Sequence, residues 1–331
     1  MDIKKSVSIV IPNYNGRYLL KEYLPYAIEA IENAETLHEI IIVDDCSTDD
    51  SVQLIRTEFP QVKLILNHQN RGFSYTCNQG IKASKYELIF LLNSDVKLSP
   101  DYFEHQWKYF SRLDTFGVMG RIIDMEGDNI QDAARMPKFN GLKLKTGYFY
   151  YSENNEDQLY TMYLSGANAL IDAVKLKELG GFDEIFSPFY SEDMELSIRA
   201  WRLNWKCYYE HRAICRHRLS ATTKNYKTPQ WVKRVYFRNR FYYHVLHFND
   251  LISMVYYCQI TLIDLLPKLL AGQFWLWKSY IELLRSRKII QLRKAEFKTM
   301  MAKHHSHTSI FDVVANIKAS VINKNIIRFK P

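Results

Sequence analysis

Four short apolar runs early in the chain each end in side chains that a buried strand does not need. Pro12-Asn13-Tyr14-Asn15 follows the first and Asp44-Asp45-Cys46-Ser47-Thr48-Asp49 the second. Asn67 with Asn70-Arg71-Gly72 follows the third, and Asn93-Ser94-Asp95 the fourth. Any one of these is readily a turn or a helix cap, and Ser47 to Asp50 reads as a cap. Four in succession point to a ligand site. Asp95 is a hard oxygen ligand of the kind that Mg²⁺ or Mn²⁺ takes. No G-x-G-x-x-G follows any of the runs and no G-x-x-x-x-G-K-[ST] occurs, so neither glycine-rich phosphate cradle is present. A diphosphate bound here needs another neutralising group, and a divalent cation on Asp95 would serve. A second acidic pair, Glu192-Asp193, opens a helix-like stretch, where acids also favour the helix dipole.

The elements that position these groups follow from the pattern of apolar residues. Strand-like runs at 7–11, 39–43, 62–66 and 88–92 alternate with helical stretches at 19–33, 50–58 and 75–83. That alternation predicts βαβ units and a parallel sheet covered on both faces. Open parallel sheets bind ligands outside the carboxyl ends of their strands, where the polar clusters lie. Further strands are expected at 117–123, 163–171, 206–209 and 213–216, with a helix over 191–203. The segment 124–160, with Gly127, Pro137, Gly141 and Gly147, reads as a loop region over a cleft. After about residue 226 strand signals stop.

With 47% hydrophobic and 24% charged residues, the 331-residue chain is globular rather than disordered or fibrous. Its five cysteines are scattered and odd in number, which argues for a reducing compartment and against a disulfide framework or structural zinc. The apolar run at residues 6–11 is too short for a signal-peptide core. The net charge of +8 conceals a division: residues 1–200 hold 20 of the 44 basic and 30 of the 36 acidic residues, a net of −10, and residues 201–331 carry +18. A basic surface of this kind meets something anionic. Its basic residues alternate with Leu, Ile and Trp, and the acidic half repels phosphates, so nucleic acid is not the expected partner. The apolar stretch 251–277 is broken by Gln259, Asp264, Pro267, Lys268 and Gly272 and does not read as a transmembrane helix. Tyr256, Tyr257, Trp275 and Trp277 beside Lys278, Arg285, Arg287 and Lys288 fit a helix pair lying on an anionic membrane; the alternative is a buried helical hairpin. The block Arg234 to Arg240 is either a solvated helix face or a contact for a lipid diphosphate.

The runs Ser8 to Asn15, Ile41 to Asp49, Asn70 to Phe73 with Asn78-Gln79-Gly80, and Leu91 to Asp95 resemble family 2 glycosyltransferases. So do Ser165-Gly166-Ala167, Gly180-Gly181-Phe182-Asp183, Ser191 to Glu195 and the ending His217 to Ser220, so that the resemblance covers about residues 6–220. It implies a GT-A fold, α/β and Rossmann-like with a mostly parallel central sheet, and inverting transfer from a nucleotide-sugar donor. The donor is then a UDP-, dTDP- or GDP-sugar, and the acceptor a hydroxyl of a polysaccharide or lipid-linked saccharide. On the resemblance, Asp44 with Asp45, Pro12 and Tyr14 form the nucleotide pocket, with Asn70, Gly72 and Asn78 near the ribose and diphosphate. Asn93 and Asp95 stand at the family's D-x-D motif; Asp95 and His217 are then the metal ligands for Mn²⁺ or Mg²⁺. Asp193 is the expected catalytic base, and Glu192 its assistant or an acceptor contact. Lack of a Q-x-x-R-W motif favours a single addition per encounter. The expected division is a GT-A domain at 1–225 and a basic, aromatic helical region at 226–331, attached to the inner face of the plasma membrane from the cytoplasm. A sugar-nucleotide nucleotidyltransferase is the competing enzyme class, for which 9–17 offers only Gly16.

Overall fold

The computed structural model describes residues 4–154, 156–218 and 228–330. Ser220 and the expected domain boundary at 225/226 lie outside the described residues. The chain begins β1 (Val7–Asn13), α1 (Arg17–Asn33), β2 (His38–Asp44), α2 (Ser51–Glu58), β3 (Lys63–Leu66), α3 (Phe73–Ala83) and β4 (Leu88–Leu92). Six strands follow: β5 (Val96–Leu98), β6 (Thr115–Ile123), β7 (Ile130–Asp132), β8 (Ala134–Asn140), β9 (Lys143–Tyr151) and β10 (Leu159–Tyr160). Then come β11 (Asn168–Asp172), α4 (Ala173–Glu178), α5 (Glu192–Arg202) and β12 (Lys206–His217). The remainder is α6 (Pro229–His247), α7 (Asp250–Gln259), α8 (Leu266–Leu270), α9 (Trp275–Arg285), α10 (Arg287–Lys303), α11 (Ile310–Ala319) and β13 (Ile327–Phe329).

The main sheet runs β10-β12-β6-β11-β4-β1-β2-β3. Its β4-β1-β2-β3 part is parallel, so the carboxyl ends of these strands share one edge. β1 sets Asn13 beside Asp44, because Val7 pairs with His38 and every residue to Asn13 follows in step. β1, β2 and β4 are largely buried runs, Leu88–Leu92 entirely so, as strands covered on both faces require, whereas β3 at the edge is half-buried to exposed. Helix α3 lies directly on β1 and β2. A Cβ at Gly80 would stand 2.3 Å from Val10 Cγ1 and 3.2 Å from Val43 Cγ2, so only glycine lets the helix approach this closely. Antiparallel β11 then fills the space between β4 and β6.

The expected strands at 206–209 and 213–216 are one strand, β12, parallel to β6 and irregular between Glu210 and Ile214. Its far end turns onto β5 in antiparallel register, with His217 opposite Val96. The strand expected at 163–171 begins only at Asn168. The loop expected at 124–160 is instead largely strand. β8 and β9 form a second sheet, and Pro137 sits just past an irregularity at Arg135, where its missing N–H is tolerated. β13 completes that sheet against β9, Phe329 stacking on Phe149 at 5.5 Å between centroids. Strand signals therefore do not stop at 226.

After residue 228, α6, α7, α9, α10 and α11 each bury one face, whereas α8 buries no residue. One hydrophobic cluster runs from Leu91 and Met119 through Phe241, Tyr256, Leu276 and Ile290 to Val313. The outer face of α7 and α8 stays exposed at Leu251, Met254, Leu262, Ile263 and Leu270. Stretch 251–277 is therefore buried along one side and apolar toward solvent along the other. No helix among the described residues is long and apolar enough to cross a membrane.

Gly80→Ala is expected to destabilise the fold by about 1–2 kcal/mol. The overpacking against Val10 outweighs the gain in helix propensity. A lowered urea midpoint at unchanged slope is the readout; an unchanged or raised midpoint contradicts the close approach.

Candidate functional site

A cleft of about 430 Å³ opens at the carboxyl edge of the parallel strands. It gathers Pro12, Tyr14, Asp45, Gly72, Asn93, Asp95, Glu192, Asp193 and His217 from segments spread over the first two-thirds of the chain. Asp44, Asn70 and Asn78 are not among its lining residues. The Asp44 carboxylate is buried and already occupied: it accepts from Asn13 Nδ2 at 2.8 Å, Ser47 N at 2.9 Å and Ser47 Oγ at 2.6 Å. Asn78 spends its amide on Phe182, donating to the carbonyl and accepting from the N–H, both at 2.9 Å. Asn70 is exposed.

Asp45 holds the third strand end in place. Its carboxylate accepts from Gly72 N at 2.8 Å, Arg71 N at 3.0 Å and Asn67 Nδ2 at 2.8 Å. Gly72 takes φ +85°, and a Cβ there would meet the Pro188 backbone at 3.1 Å, so the turn into α3 needs a glycine on both counts. Across the cleft the β5–β12 register sets His217 Nε2 3.4 Å from Asp95 Oδ1. The other imidazole nitrogen lies 3.3 Å from Gln131 Oε1. Asp95 is 6% exposed, and its Oδ1 has no hydrogen-bond partner. Among the described residues no set of three or more His, Cys, Asp or Glu side chains is grouped to hold a metal ion.

Glu192 and Asp193 begin α5, preceded by Tyr190 and Ser191 at φ 76° and 72°. Two consecutive left-handed residues without glycine are strained and need the surroundings to hold them. Burial pushes the Glu192 carboxyl up to about 8, helped by the neighbouring Asp193 charge, and its Oε2 has no hydrogen-bond partner. Burial likewise pushes Asp193 up to about 6, opposed by the Met194 N–H that it accepts at 2.7 Å. Asp132 adds to the rise, whereas Arg135 favours the ionised form.

Residues 8–180 match the family described as glycosyl transferase family 2, which takes in more than half of the chain. The chain belongs to that family. An uncharacterized glycosyltransferase of Rickettsia prowazekii is 26% identical over 220 residues, covering 65% of this chain and 64% of its own length. An N-acetylglucosaminyl-diphospho-decaprenol L-rhamnosyltransferase of Mycobacterium tuberculosis is 25% identical over 209 residues, 56% of this chain and 67% of that protein. The chain thus spans about two-thirds of the length of these relatives. Among solved structures, GalNAc-T7 with UDP, GalNAc and Mn²⁺ superposes with a TM-score of 0.62 at 14% identity, covering 96% of this chain and 57% of that one. The fold is the GT-A arrangement that the motifs implied, a mixed α/β core with a helical C-terminal region.

Two residues of this family 2 chain that the motifs did not mark, Asp132 and Arg135, line the cleft, and a third, Asn239, from the block read as a solvated face or a lipid contact, braces it from behind. Asp132 and Arg135 line it from β7 and β8, Arg135 donating Nε to Asp132 Oδ1 at 2.9 Å and stacking 3.7 Å above the Phe149 ring. They fell in the segment expected to be loop, and only the alternation within 143–151 hinted otherwise. The third is Asn239, fully buried in α6. Its two amide hydrogens are shared among the carbonyls of Phe186, Phe189 and Tyr190 at 2.6, 2.9 and 2.8 Å. Arg238 donates to Ser187 O and pairs with Glu282, which Arg234 also engages. Arg238 and Asn239 therefore hold the turn that delivers Glu192 and Asp193, where the sequence offered a solvated face or a lipid contact.

Asn239→Ala leaves those carbonyls without their donor and is expected to cost about 3 kcal/mol of stability, read as a lowered urea midpoint. Glu192→Gln is expected to raise the melting temperature, and more at pH 8 than at pH 5. The folded protein keeps the Glu192 proton to about 8 while the unfolded chain releases it near 4.5, so native stability falls as pH rises across that window. A gain that does not grow with pH contradicts the buried, neutral Glu192.

Proposed function

We propose that the cleft transfers one sugar, with inversion, from a nucleoside diphosphate donor to a hydroxyl of a polysaccharide or lipid-linked saccharide. The observation that carries this reading is the raised Asp193–Glu192 pair facing the same cleft as buried Asp95 and its neighbour His217 in a family 2 chain. Asp45, Pro12, Tyr14 and Gly72 form the side of the cleft given to the nucleotide, with Asn93 toward the diphosphate. Asp44 acts behind them, fixing Asn13 and Ser47, while Asn78 braces the Phe182 segment.

Asp95 and His217 fit a divalent cation. A buried carboxylate oxygen without a hydrogen-bond partner and an imidazole nitrogen beside it make a mixed O/N donor pair, which leaves the remaining positions to diphosphate oxygens and water. Mn²⁺ or Mg²⁺ bound there would offset the charge of the departing nucleoside diphosphate. GalNAc-T7, which shares the fold, was solved with UDP and Mn²⁺.

Asp193 takes the proton of the acceptor hydroxyl as its oxygen attacks the anomeric carbon. The new C–O bond forms on the face opposite the breaking bond to phosphate, and the nucleoside diphosphate leaves with that bond's electrons. Two adjacent carboxyl groups cannot both ionise cheaply when buried, so they divide the work. Arg135 favours charge on Asp193, and Glu192 stays protonated and donates a hydrogen bond to the acceptor. Arrival of the acceptor at a membrane is part of the proposal. The region 226–331 attaches the 1–225 domain to an anionic surface at the inner face of the plasma membrane, consistent with the charge of +18 over 201–331. The diphospho-decaprenol in the rhamnosyltransferase's name supports a lipid-linked acceptor.

Asp193→Asn is expected to lower turnover by about 10³-fold, read as nucleotide release from a panel of UDP-, dTDP- and GDP-sugars, with donor affinity unchanged by calorimetry. Wild-type turnover should climb as pH rises through about 6, where Asp193 loses its proton. Asp95→Ala should instead remove the Mn²⁺ dependence of nucleotide binding. Turnover retained by Asp193→Asn sinks the assignment of the base.

A further inference from the structure

The outward side of the α7–α8 helix is an unbroken apolar stripe. Leu251, Met254, Val255, Cys258 and Leu262 are exposed at helical spacing. A π-helical turn at Ile260–Leu265 carries the stripe on to Leu266 and Leu270, the last 90% exposed. Phe274 and Trp277 extend it across the turn into α9 at 61% and 42%. The acids nearby are neutralised: Asp250 pairs with Lys294, Asp264 with Lys143, and Glu282 with Arg234 and Arg238. Lys268, Lys278 and Arg285 border the stripe, so its edge is positive.

Beside the stripe, the start of α6 and the turn between α8 and α9 enclose a recess of about 610 Å³. Lys233 and Lys278 line it with Trp231, Phe274 and Trp275, beside Arg234, which is paired with Glu282, and no acidic residue is among its described lining. One ring contact links it to the cleft: Phe189, which lines the cleft, meets Trp231 edge-on at 5.8 Å.

We propose that the stripe seats in the interface of an anionic bilayer and that the recess takes the phosphate of a lipid headgroup. Apolar and aromatic side chains with a cationic border are the composition that interfacial helices use, and cations with aromatic walls suit a phosphate on an amphiphile. A second copy of the chain is a poor occupant, since a twofold contact across this face opposes like charges. That a lipid-linked acceptor would thereby present its saccharide toward the cleft rests on the transfer reading above; binding to the bilayer does not.

The test is co-sedimentation of the full chain with phosphatidylcholine vesicles and with vesicles that also contain phosphatidylglycerol. Binding is expected only to the second kind, weakening with salt. Lys233→Gln and Lys278→Gln should each weaken it about fivefold, and Leu262→Glu with Leu270→Glu at least about tenfold. UDP binding with Mn²⁺ should persist in every variant, since these exposed residues lie outside the cleft, and melting curves confirm that each folds. Loss of nucleotide binding in the wild type would count against the transfer reading alone. Equal binding to both vesicle types, no change in the variants, or a concentration-dependent dimer with no vesicle binding overturns the proposal. Inorganic phosphate or pyrophosphate competing fully with vesicles at millimolar concentration would overturn the lipid headgroup and leave a free-anion site.

Discussion

A carboxylate withdrawn from water must be hydrogen-bonded, paired with a cation or left protonated, and the carboxyl edge of this sheet uses all three solutions. Asp44 and Asp45 take the first, each accepting several N–H or O–H donors from the loops that follow β1, β2 and β3. Glu195 takes the second: although burial opposes it, Arg199 and His247 hold it below the usual carboxylate range. Glu192 takes the third. The loops are ordered because the acids are satisfied, and the groups left incompletely satisfied, Asp95 Oδ1 and Glu192 Oε2, both belong to residues that line the cleft.

The parallel half of the fold was legible because each of its strands is a continuous apolar run bounded by polar turns, and β1, β2 and β4 lie within two residues of their expected bounds. The acids and amides at the strand ends stood out because a buried strand does not need them; the structure brings Asp45, Asn93 and Asp95 to the cleft, while Asp44 and Asp45 also tie down the loops around it. The second sheet was not legible. Pro137 and three glycines read as loop punctuation, yet an edge strand tolerates both, and β9 alternates only weakly between buried and half-buried positions. Missing that sheet hid Asp132 and Arg135. Asn239 was hidden differently: its partners are backbone carbonyls some fifty positions upstream, which no local pattern encodes.

The C-terminal helices resolve a choice that composition left open by satisfying both sides of it. Tyr256, Ile260 and Leu276 face the sheet and belong to its core, so the region is not a detached tail. The opposite face is as apolar as an interior yet open to solvent. Through Arg238 and Asn239 the same helices hold the turn before α5. The region that carries the basic charge therefore also braces the wall of the cleft, and the two parts are mechanically continuous.

β13 has a bearing on how such a chain is made. It pairs with β9 across most of the sequence, laying Ile327 beside Tyr151 and Phe329 beside Phe149. During synthesis the residues of β9 emerge long before their partner, and the open strand edge must wait for the 176 residues that follow Tyr151 up to Ile327. The ring of Phe149 that lies beneath Arg135 is stacked by Phe329 only at that point. In a nascent chain stopped short of β13, the edge of β9 beside the cleft wall is still without its partner strand.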